Sequence, residues 1–157
     1  MERAYIDLFK PELMFFGVET HDRISLFKYL EASLNEMGYI KDSWYDAIVE
    51  REKSFATGLQ FETIAVALPH VDPEHLIKPY IAVIKPKKPI VFEGMAGIGG
   101  EIPAELIVNL GLTEHAEGQV AVLQALMGIF LEADAVKDIM AQDTPEGMVA
   151  TMRRLCA

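Results

Sequence analysis

The chain has 157 residues, of which 51% are hydrophobic and 24% are charged. This balance is typical of one folded domain and excludes intrinsic disorder and fibrous structure. Fourteen Lys and Arg against 24 Asp and Glu give a formal charge of −10. Such a charge would repel phosphate backbones and anionic lipid, so nucleic acid is not an expected partner.

The cysteine content and the hydropathy pattern limit where the protein can act. The single cysteine, Cys156, lies one residue from the end of the sequence, so we expect neither an intramolecular disulfide nor a thiolate metal cluster. No apolar stretch approaches the roughly 18 residues that a membrane-spanning helix needs, and residues 1–10 do not have the pattern of a standard export signal. These features predict a cytoplasmic protein without direct membrane insertion.

Two helices are predicted in the first third of the chain. Apolar residues recur at steps of three and four from Thr20 to Met37, with Thr20 as the expected N-cap and Gly38 just past the end. A second helix is predicted to begin at Ser43 and to bury one face before a charged run at residues 50–53. The segment that follows, "SFATGLQFE", is expected to be a loop or turn.

Apolar runs bounded by Pro or Gly predict a block of strands in the middle of the chain. The runs cover residues 64–68, 80–84, 89–92 and 105–110. The short spacing "KPKKP" predicts that the second and third runs are antiparallel neighbours.

Beyond Leu112 the period of the apolar residues becomes helical. Three helices are predicted there, the last with Thr144 as cap and Pro145 in its first turn. Helices, then strands, then helices indicate a layered α/β domain. Its sheet is expected to be mixed, because several connections are too short for parallel crossovers.

The stretch "IAVALPH" places His70 directly beyond a predicted buried strand that ends at Pro69. Side chains at the carboxyl end of an α/β sheet commonly face a ligand crevice, and a neutral imidazole is a competent nucleophile near neutral pH. An exposed His70 would therefore be able to attack a phosphoryl group. A turn histidine that only hydrogen-bonds to the backbone fits these residues equally well.

The other candidate motifs favour no particular chemistry. His21 and His75 are interpreted as surface or loop residues, and His70 and His75 are five residues apart without a nearby cysteine, which is weak support for a metal site. The glycine-rich segment 94–101 lacks the Lys-Ser/Thr ending of a nucleotide P-loop and is interpreted as a strand connection. No nucleophile-elbow sequence is present. No cofactor is expected.

A family resemblance runs over roughly residues 22–155. The successive blocks "AIVEREKSFATGL", "IAVALPH", "KPYIAVIKPKKPIVF", "ELIVNLGL" and "GQVAVLQALMGIF" resemble the enzyme IIA domains of the fructose/mannitol class of the bacterial phosphoenolpyruvate-dependent sugar phosphotransferase system. Among these the chain is most similar to the galactitol-type members. The resemblance implies that residues 1–157 form a single enzyme IIA type-2 domain of α/β fold, with a central mixed β-sheet and helices on both faces.

The resemblance also implies a phosphotransferase activity. In that family the histidine of the Pro-His pair accepts a phosphoryl group from the phosphocarrier HPr and passes it to a cysteine of enzyme IIB. Carried onto this chain, the acceptor is His70, and Arg51 supplies guanidinium donors to the phosphate oxygens. Many fructose- and mannitol-type members have a second histidine at the position of Gln119, whereas galactitol-type members are similar to this chain in having glutamine there. His115, four residues earlier, is the other candidate to reach the crevice.

Two alternatives remain open on the sequence. The first is a regulatory module of the same fold, of the nitrogen-related type, that is phosphorylated on histidine but does not feed a sugar transporter. The second is a small-molecule binding protein without phosphate chemistry.

Because protein-to-protein transfer needs a docking surface that excludes water, an apolar patch is expected around His70. Its expected members are Leu59, Phe61, Val71 and Leu76.

Overall fold

The computed structural model describes residues 4–113 and 116–157. Within these ranges the secondary structure comprises seven strands and five α-helices, with short 3-10 turns between some of them. The strands are Phe9–Val18 (β1), Gly58–Gln60 (β2), Ala65–Ala67 (β3), Tyr80–Pro86 (β4), Ile90–Glu93 (β5), Glu101–Ala104 (β6) and Leu106–Gly111 (β7). The α-helices are Arg23–Glu36 (α1), Trp44–Ser54 (α2), Ala116–Phe130 (α3), Ala133–Met140 (α4) and Pro145–Cys156 (α5).

Five strands form a central mixed sheet in the order β1-β4-β7-β3-β2. Strand β4 is parallel to β1 and antiparallel to β7, and β3 is parallel to β7 and antiparallel to β2. Strands β5 and β6 form a separate antiparallel pair. The predicted mixed sheet is therefore confirmed. The parallel arrangement of β3 and β7 brings their carboxyl ends to the same edge.

Helices cover both faces of this sheet, as predicted. Alternating side chains of β4 point to opposite faces, because successive residues of a strand alternate: Ile81 and Val83 pack with α3, α4 and α5, whereas Ala82 and Ile84 pack with α1, α2 and the β5–β6 pair. Two apolar clusters thus sandwich the sheet. The fold is a single α/β domain.

Local capping signals identified the last helix correctly and misplaced the start of the first. The side chain of Thr144 accepts a hydrogen bond from the amide of Gly147, and Pro145 opens α5 as predicted. The predicted cap Thr20 is wrong, because α1 begins at Arg23 and the side chain of Asp22 accepts the hydrogen bond from Ser25 N. An Asp close to the first helical turn competes for the same role as a Thr further upstream.

The strand predictions failed where pairing is long-range or the strand is irregular. The predicted hairpin between residues 80–84 and 89–92 is wrong, because β4 pairs with β1 and β7 while β5 pairs with β6. The segment expected to be only loop contains strand β2. Strand β1 was not predicted at all. The glycine-rich segment does connect two strands, β5 and β6.

No single helix in the described parts of the chain is long and apolar enough to cross a membrane. The stretch 118–130 of α3 and helix α4 pass the length and composition test only as a pair bent by 93°. Most of their large apolar residues, among them Leu126, Phe130 and Ile139, belong to the cluster that covers one face of the sheet. This packing accounts for their apolar character.

Candidate functional site

His70 lies beyond the carboxyl ends of the parallel strands β3 and β7. Residues 68 and 69 follow β3, and His70 pairs with Leu110 of β7 as an isolated parallel bridge. The amide of Leu110 donates to the carbonyl of Pro69 at 3.1 Å. Strand β7 thus holds the backbone at Pro69 and His70, and the imidazole of His70 is partly exposed.

The two ring nitrogens of His70 have different partners. Nδ1 lies 2.7 Å from the carbonyl oxygen of Leu68. A carbonyl oxygen only accepts, so Nδ1 carries the proton in the neutral ring and Nε2 carries the lone pair. Nε2 lies 3.4 Å from Nη2 of Arg51. The nucleophilic nitrogen therefore faces a guanidinium.

Arg51 reaches the histidine from helix α2. Its Nη1 donates to Oδ1 of Asp72 at 3.0 Å, and Asp72 is two residues beyond His70. The aromatic ring of Phe55, one helical turn further along, lies 5.7 Å from the guanidinium carbon. The carboxylate and the ring hold the arginine next to Nε2. Of the carboxylates near His70 in sequence, Asp72 is thus the one that orients this arginine.

Burial is the largest cause that lowers the pKa of His70 below its ordinary value of 6.5. The positive charge of Arg51 lowers this pKa further, whereas the hydrogen bond to Leu68 and the charge of Asp72 act in the opposite direction. The imidazole is consequently neutral at neutral pH. A neutral ring is the form that has a lone pair to donate.

We expect the ring protons of His70 to titrate below pH 6.5 in an NMR titration, and we expect Arg51→Ala to raise the pKa. The variant removes a positive charge and leaves the carboxylate of Asp72 beside the ring. The unfolded chain binds this proton more readily than the native state, so His70 makes the free energy of unfolding fall as the pH drops below about 6.5. A pKa that stayed constant or fell in Arg51→Ala would contradict this electrostatic account.

Helix α3 brings a third predicted residue to the same place. Gln119 is buried and lines a narrow pocket together with His70, Val71, Leu110, Leu112 and Leu123. The predicted candidates His70, Arg51 and Gln119 are therefore neighbours in the structure. His115 lies outside the described residues, so its predicted role remains a prediction.

A buried hydrogen-bond chain that the sequence analysis did not identify supports the Pro69 carbonyl. Trp44 Nε1 donates to the hydroxyl of Tyr80 at 3.1 Å, and this hydroxyl donates to Oδ1 of Asn109 at 2.6 Å. Nδ2 of Asn109 then donates to Pro69 O at 3.0 Å. All three side chains are fully buried. This series of hydrogen bonds connects the start of α2, the helix that carries Arg51, to the peptide before His70.

Gly111 leaves room for the ring of Tyr80, which is its partner across the β4–β7 ladder. A Cβ at position 111 would collide with that ring. The sequence signal for the chain was the lone Asn109 within the apolar run "LIVNL". A polar side chain in a buried strand needs a hydrogen-bond partner.

We expect Tyr80→Phe to lower the free energy of unfolding by about 1–3 kcal/mol, because it leaves Trp44 Nε1 and Asn109 Oδ1 buried without their shared partner. Urea denaturation measures the effect. Tyr29→Phe is the matched control, since Tyr29 is 42% exposed and its change should stay within about 0.5 kcal/mol. Equal stability of the two variants would show that the buried hydroxyl is unimportant.

The expected apolar docking patch is only partly present. Val71 and Leu76 are buried in the core and do not contribute to an exposed surface, which corrects that part of the prediction. Leu59 and Phe61 are half-buried and pack against the other cluster. The exposed apolar side chain closest to Arg51 in the sequence is Phe55, at 68% exposure.

The two other histidines that the structure describes, His21 and His75, have partners elsewhere or lie at the surface. His21 is exposed, and Nδ1 of His75 lies 2.8 Å from the hydroxyl of Ser43 at the start of α2. In the part of the chain that the structure describes, no three His, Cys, Asp or Glu side chains are grouped as metal ligands would be.

Comparison with known proteins identifies the family to which this chain belongs. The family model described as "Phosphoenolpyruvate-dependent sugar phosphotransferase system, EIIA 2" matches residues 7–154. The chain belongs to this family, whose members are components of the phosphotransferase system. The family resemblance seen in the sequence is thereby confirmed.

Individual relatives are more distant. The galactitol-specific EIIA component of Escherichia coli K12 is 25% identical over 124 residues, which cover 79% of this chain and 81% of the relative. Nitrogen regulatory protein IIA-Ntr from Neisseria meningitidis has a TM-score of 0.74 at 21% identity, over 95% of this chain and 99% of that one. The mannitol IIA of Escherichia coli has a TM-score of 0.69 at 17% identity, over 90% and 96% of the two chains. The two structural likenesses support the fold.

Proposed function

We propose that this chain is the phosphocarrier of a galactitol-like sugar phosphotransferase system, taking a phosphoryl group from HPr onto His70 and passing it to a cysteine of enzyme IIB. The observation that carries the proposal is the pairing of His70 Nε2 with Arg51 at 3.4 Å while Nδ1 is held by the Leu68 carbonyl. Nε2 is thus free to accept the phosphoryl group, and it lies beside the Arg51 guanidinium, which neutralises phosphate charge.

In the first step the Nε2 lone pair attacks phosphorus as the bond between phosphorus and the HPr histidine nitrogen breaks. The electron pair of that bond returns to the HPr imidazole. In the second step a IIB thiolate attacks the same phosphorus, and the electron pair of the breaking P–Nε2 bond returns to His70. Phosphoryl transfer of this kind depends mainly on positioning and charge stabilisation.

Arg51 and Gln119 have different proposed roles. The guanidinium stabilises the equatorial phosphate oxygens and is kept in place by Asp72. The amide of Gln119, which shares the pocket of His70, is proposed to donate a neutral hydrogen bond to the phosphoryl group. His115, the fourth residue of the predicted site, lies outside the described residues, and its contact with the phosphoryl group remains a prediction.

Relatives with named partners or sugars support the proposed IIB partner and the galactitol-type system. A solved complex of the mannitol enzyme IIA with phosphorylated enzyme IIB from Escherichia coli resembles this chain with a TM-score of 0.70 at 16% identity. The galactitol-specific relative at 25% identity supports a galactitol-type system. We propose a cytoplasmic site of action, where HPr and a IIB thiol would both be available.

The regulatory alternative is kept because the fold also resembles that of the nitrogen regulatory protein from Neisseria meningitidis. Both functions require a phosphohistidine, but only the transport function requires discharge to enzyme IIB.

The test is reconstitution with phosphoenolpyruvate, enzyme I and HPr, followed by addition of a galactitol-type enzyme IIB from the same organism. We expect intact mass to increase by one acid-labile phosphate and the label then to move to the IIB cysteine, but not to its Cys→Ser variant. A phosphorylated protein that IIB does not discharge would favour the regulatory function. A protein that gains no phosphate would refute both.

A further inference from the structure

Glu52 and Thr57, which lie in the block "AIVEREKSFATGL", have no part in the proposed chemistry, yet the structure connects both to His70. Glu52 follows Arg51 on α2, and Thr57 lies in the turn that leads into β2. Each is 4% exposed. A buried carboxylate is costly unless hydrogen bonds satisfy it, so this position requires a physical explanation.

Thr57 satisfies the carboxylate. Its backbone amide donates to Oε2 of Glu52 at 2.7 Å, and its hydroxyl donates to Oε1 at 2.9 Å. The turn packs tightly, since a Cβ on the next residue, Gly58, would lie 2.6 Å from the carbonyl oxygen of Glu93. The side chain of Glu52 and the backbone of Thr57 are therefore fixed relative to each other.

The hydroxyl of Thr57 then reaches the segment that carries the histidine. Its oxygen accepts a hydrogen bond from the amide of Leu68 at 3.2 Å. The carbonyl of the same Leu68 accepts from Nδ1 of His70 at 2.7 Å. Because Thr57 donates its single hydroxyl proton to Glu52, its oxygen can only accept a hydrogen bond from Leu68. The peptide groups of Leu68 have fixed roles, since an N–H donates and a carbonyl accepts, so only the direction of the Thr57 hydroxyl is set by the Glu52 carboxylate.

We propose that Glu52 and Thr57 are positioning residues, which hold Leu68 so that its carbonyl keeps the proton on Nδ1 of His70 and leaves Nε2 as the acceptor beside Arg51. This inference rests on the proposed function for its kinetic consequence, but not for its structural one. A single helix, α2, then controls both nitrogens: Arg51 faces Nε2 directly, and Glu52 acts on Nδ1 through Thr57 and Leu68.

The decisive variants are Thr57→Val, which removes the hydroxyl at nearly constant shape, and Thr57→Ser, which restores it. Long-range ¹H–¹⁵N NMR correlations of the unphosphorylated protein report the tautomer of His70. The rate of phosphorylation by phospho-HPr is measured in parallel. Thr63→Val is the matched control, because Thr63 loses a comparable hydrogen bond, to the carbonyl of Phe130 at 3.1 Å.

We expect Thr57→Val to populate both tautomers and to be phosphorylated about tenfold more slowly, while Thr57→Ser and Thr63→Val behave like the wild type. A wild-type tautomer and rate in Thr57→Val would overturn the proposal, as would an equal loss in Thr63→Val. Should Thr57→Val not fold, Glu52→Gln is judged by the same two measurements. The tautomer is measured without phosphate, so failure of the proposed function leaves this test intact.

Discussion

His70→Gln is expected to gain no acid-labile phosphate from phospho-HPr. Gln retains a side chain of similar polarity at the edge of the sheet but has no nucleophilic ring nitrogen to form a P–N bond. The partial exposure of the imidazole and the support of its backbone by β7 suggest that the variant folds. Intact mass after reaction with phosphoenolpyruvate, enzyme I and HPr measures the effect, and circular dichroism verifies folding.

The matched control is His21→Gln, because His21 is an exposed histidine outside the pocket. It should accept one phosphate as the wild type does. If His70→Gln still gained phosphate while His21→Gln or His75→Gln did not, the phosphorylated residue would be a histidine other than His70, and the proposed site would be refuted.

Arg51→Ala is expected to lower the rate of phosphoryl transfer about 100-fold, the order of loss found when one preorganised donor to developing charge is removed. The guanidinium lies 3.4 Å from Nε2 and is held by Asp72, so it is in place before phosphate arrives. Stopped-flow or quench-flow measurement with phospho-HPr gives the rate. Arg51→Lys should recover only part of it, because an ammonium lacks the planar fork that contacts two oxygens.

Arg154→Ala provides the control for a general loss of charge. Arg154 on α5 forms a comparable surface ion pair with Asp138 at 3.1 Å, and such pairs contribute at most about 1 kcal/mol to stability. Its transfer rate should equal that of the wild type. If both arginine variants slowed transfer equally, the effect of Arg51 would be one of net charge rather than of contact with phosphate.

Local patterns predicted the elements whose determinants are local. The last helix was identified from Thr144 and Pro145, and β3 from a clean apolar run that ends before Pro69. Strand β1 was missed because it lies at the edge of the sheet, where Pro11 and irregular pairing are tolerated and the apolar pattern is broken. The wrong partner for β5 has a related cause, since strand pairing depends on tertiary packing that a turn sequence does not encode.

The candidate site was predictable to a similar extent. The position of His70 at a strand end follows from its sequence. Arg51 was associated with it only through the family resemblance, since Arg51 lies 19 positions earlier, on helix α2, with strands β2 and β3 between the two residues. The tautomer of His70 depends on the Leu68 carbonyl, and the roles of Asn109 and Thr57 depend on contacts between distant segments. No spacing rule reveals such contacts. Val71 was predicted from the sequence to lie in an exposed docking patch, but its side chain is buried in the core.

The central claim is that Nε2 of His70 is the nitrogen that accepts phosphate. Phosphorylation of ¹⁵N-histidine-labelled protein by HPr, followed by ¹H–¹⁵N NMR with detection of coupling to phosphorus, tests this claim directly. The account predicts one phosphorylated histidine, His70, with phosphorus bonded to Nε2 and a proton retained on Nδ1. Phosphorus on Nδ1, or on a histidine other than His70, would contradict it.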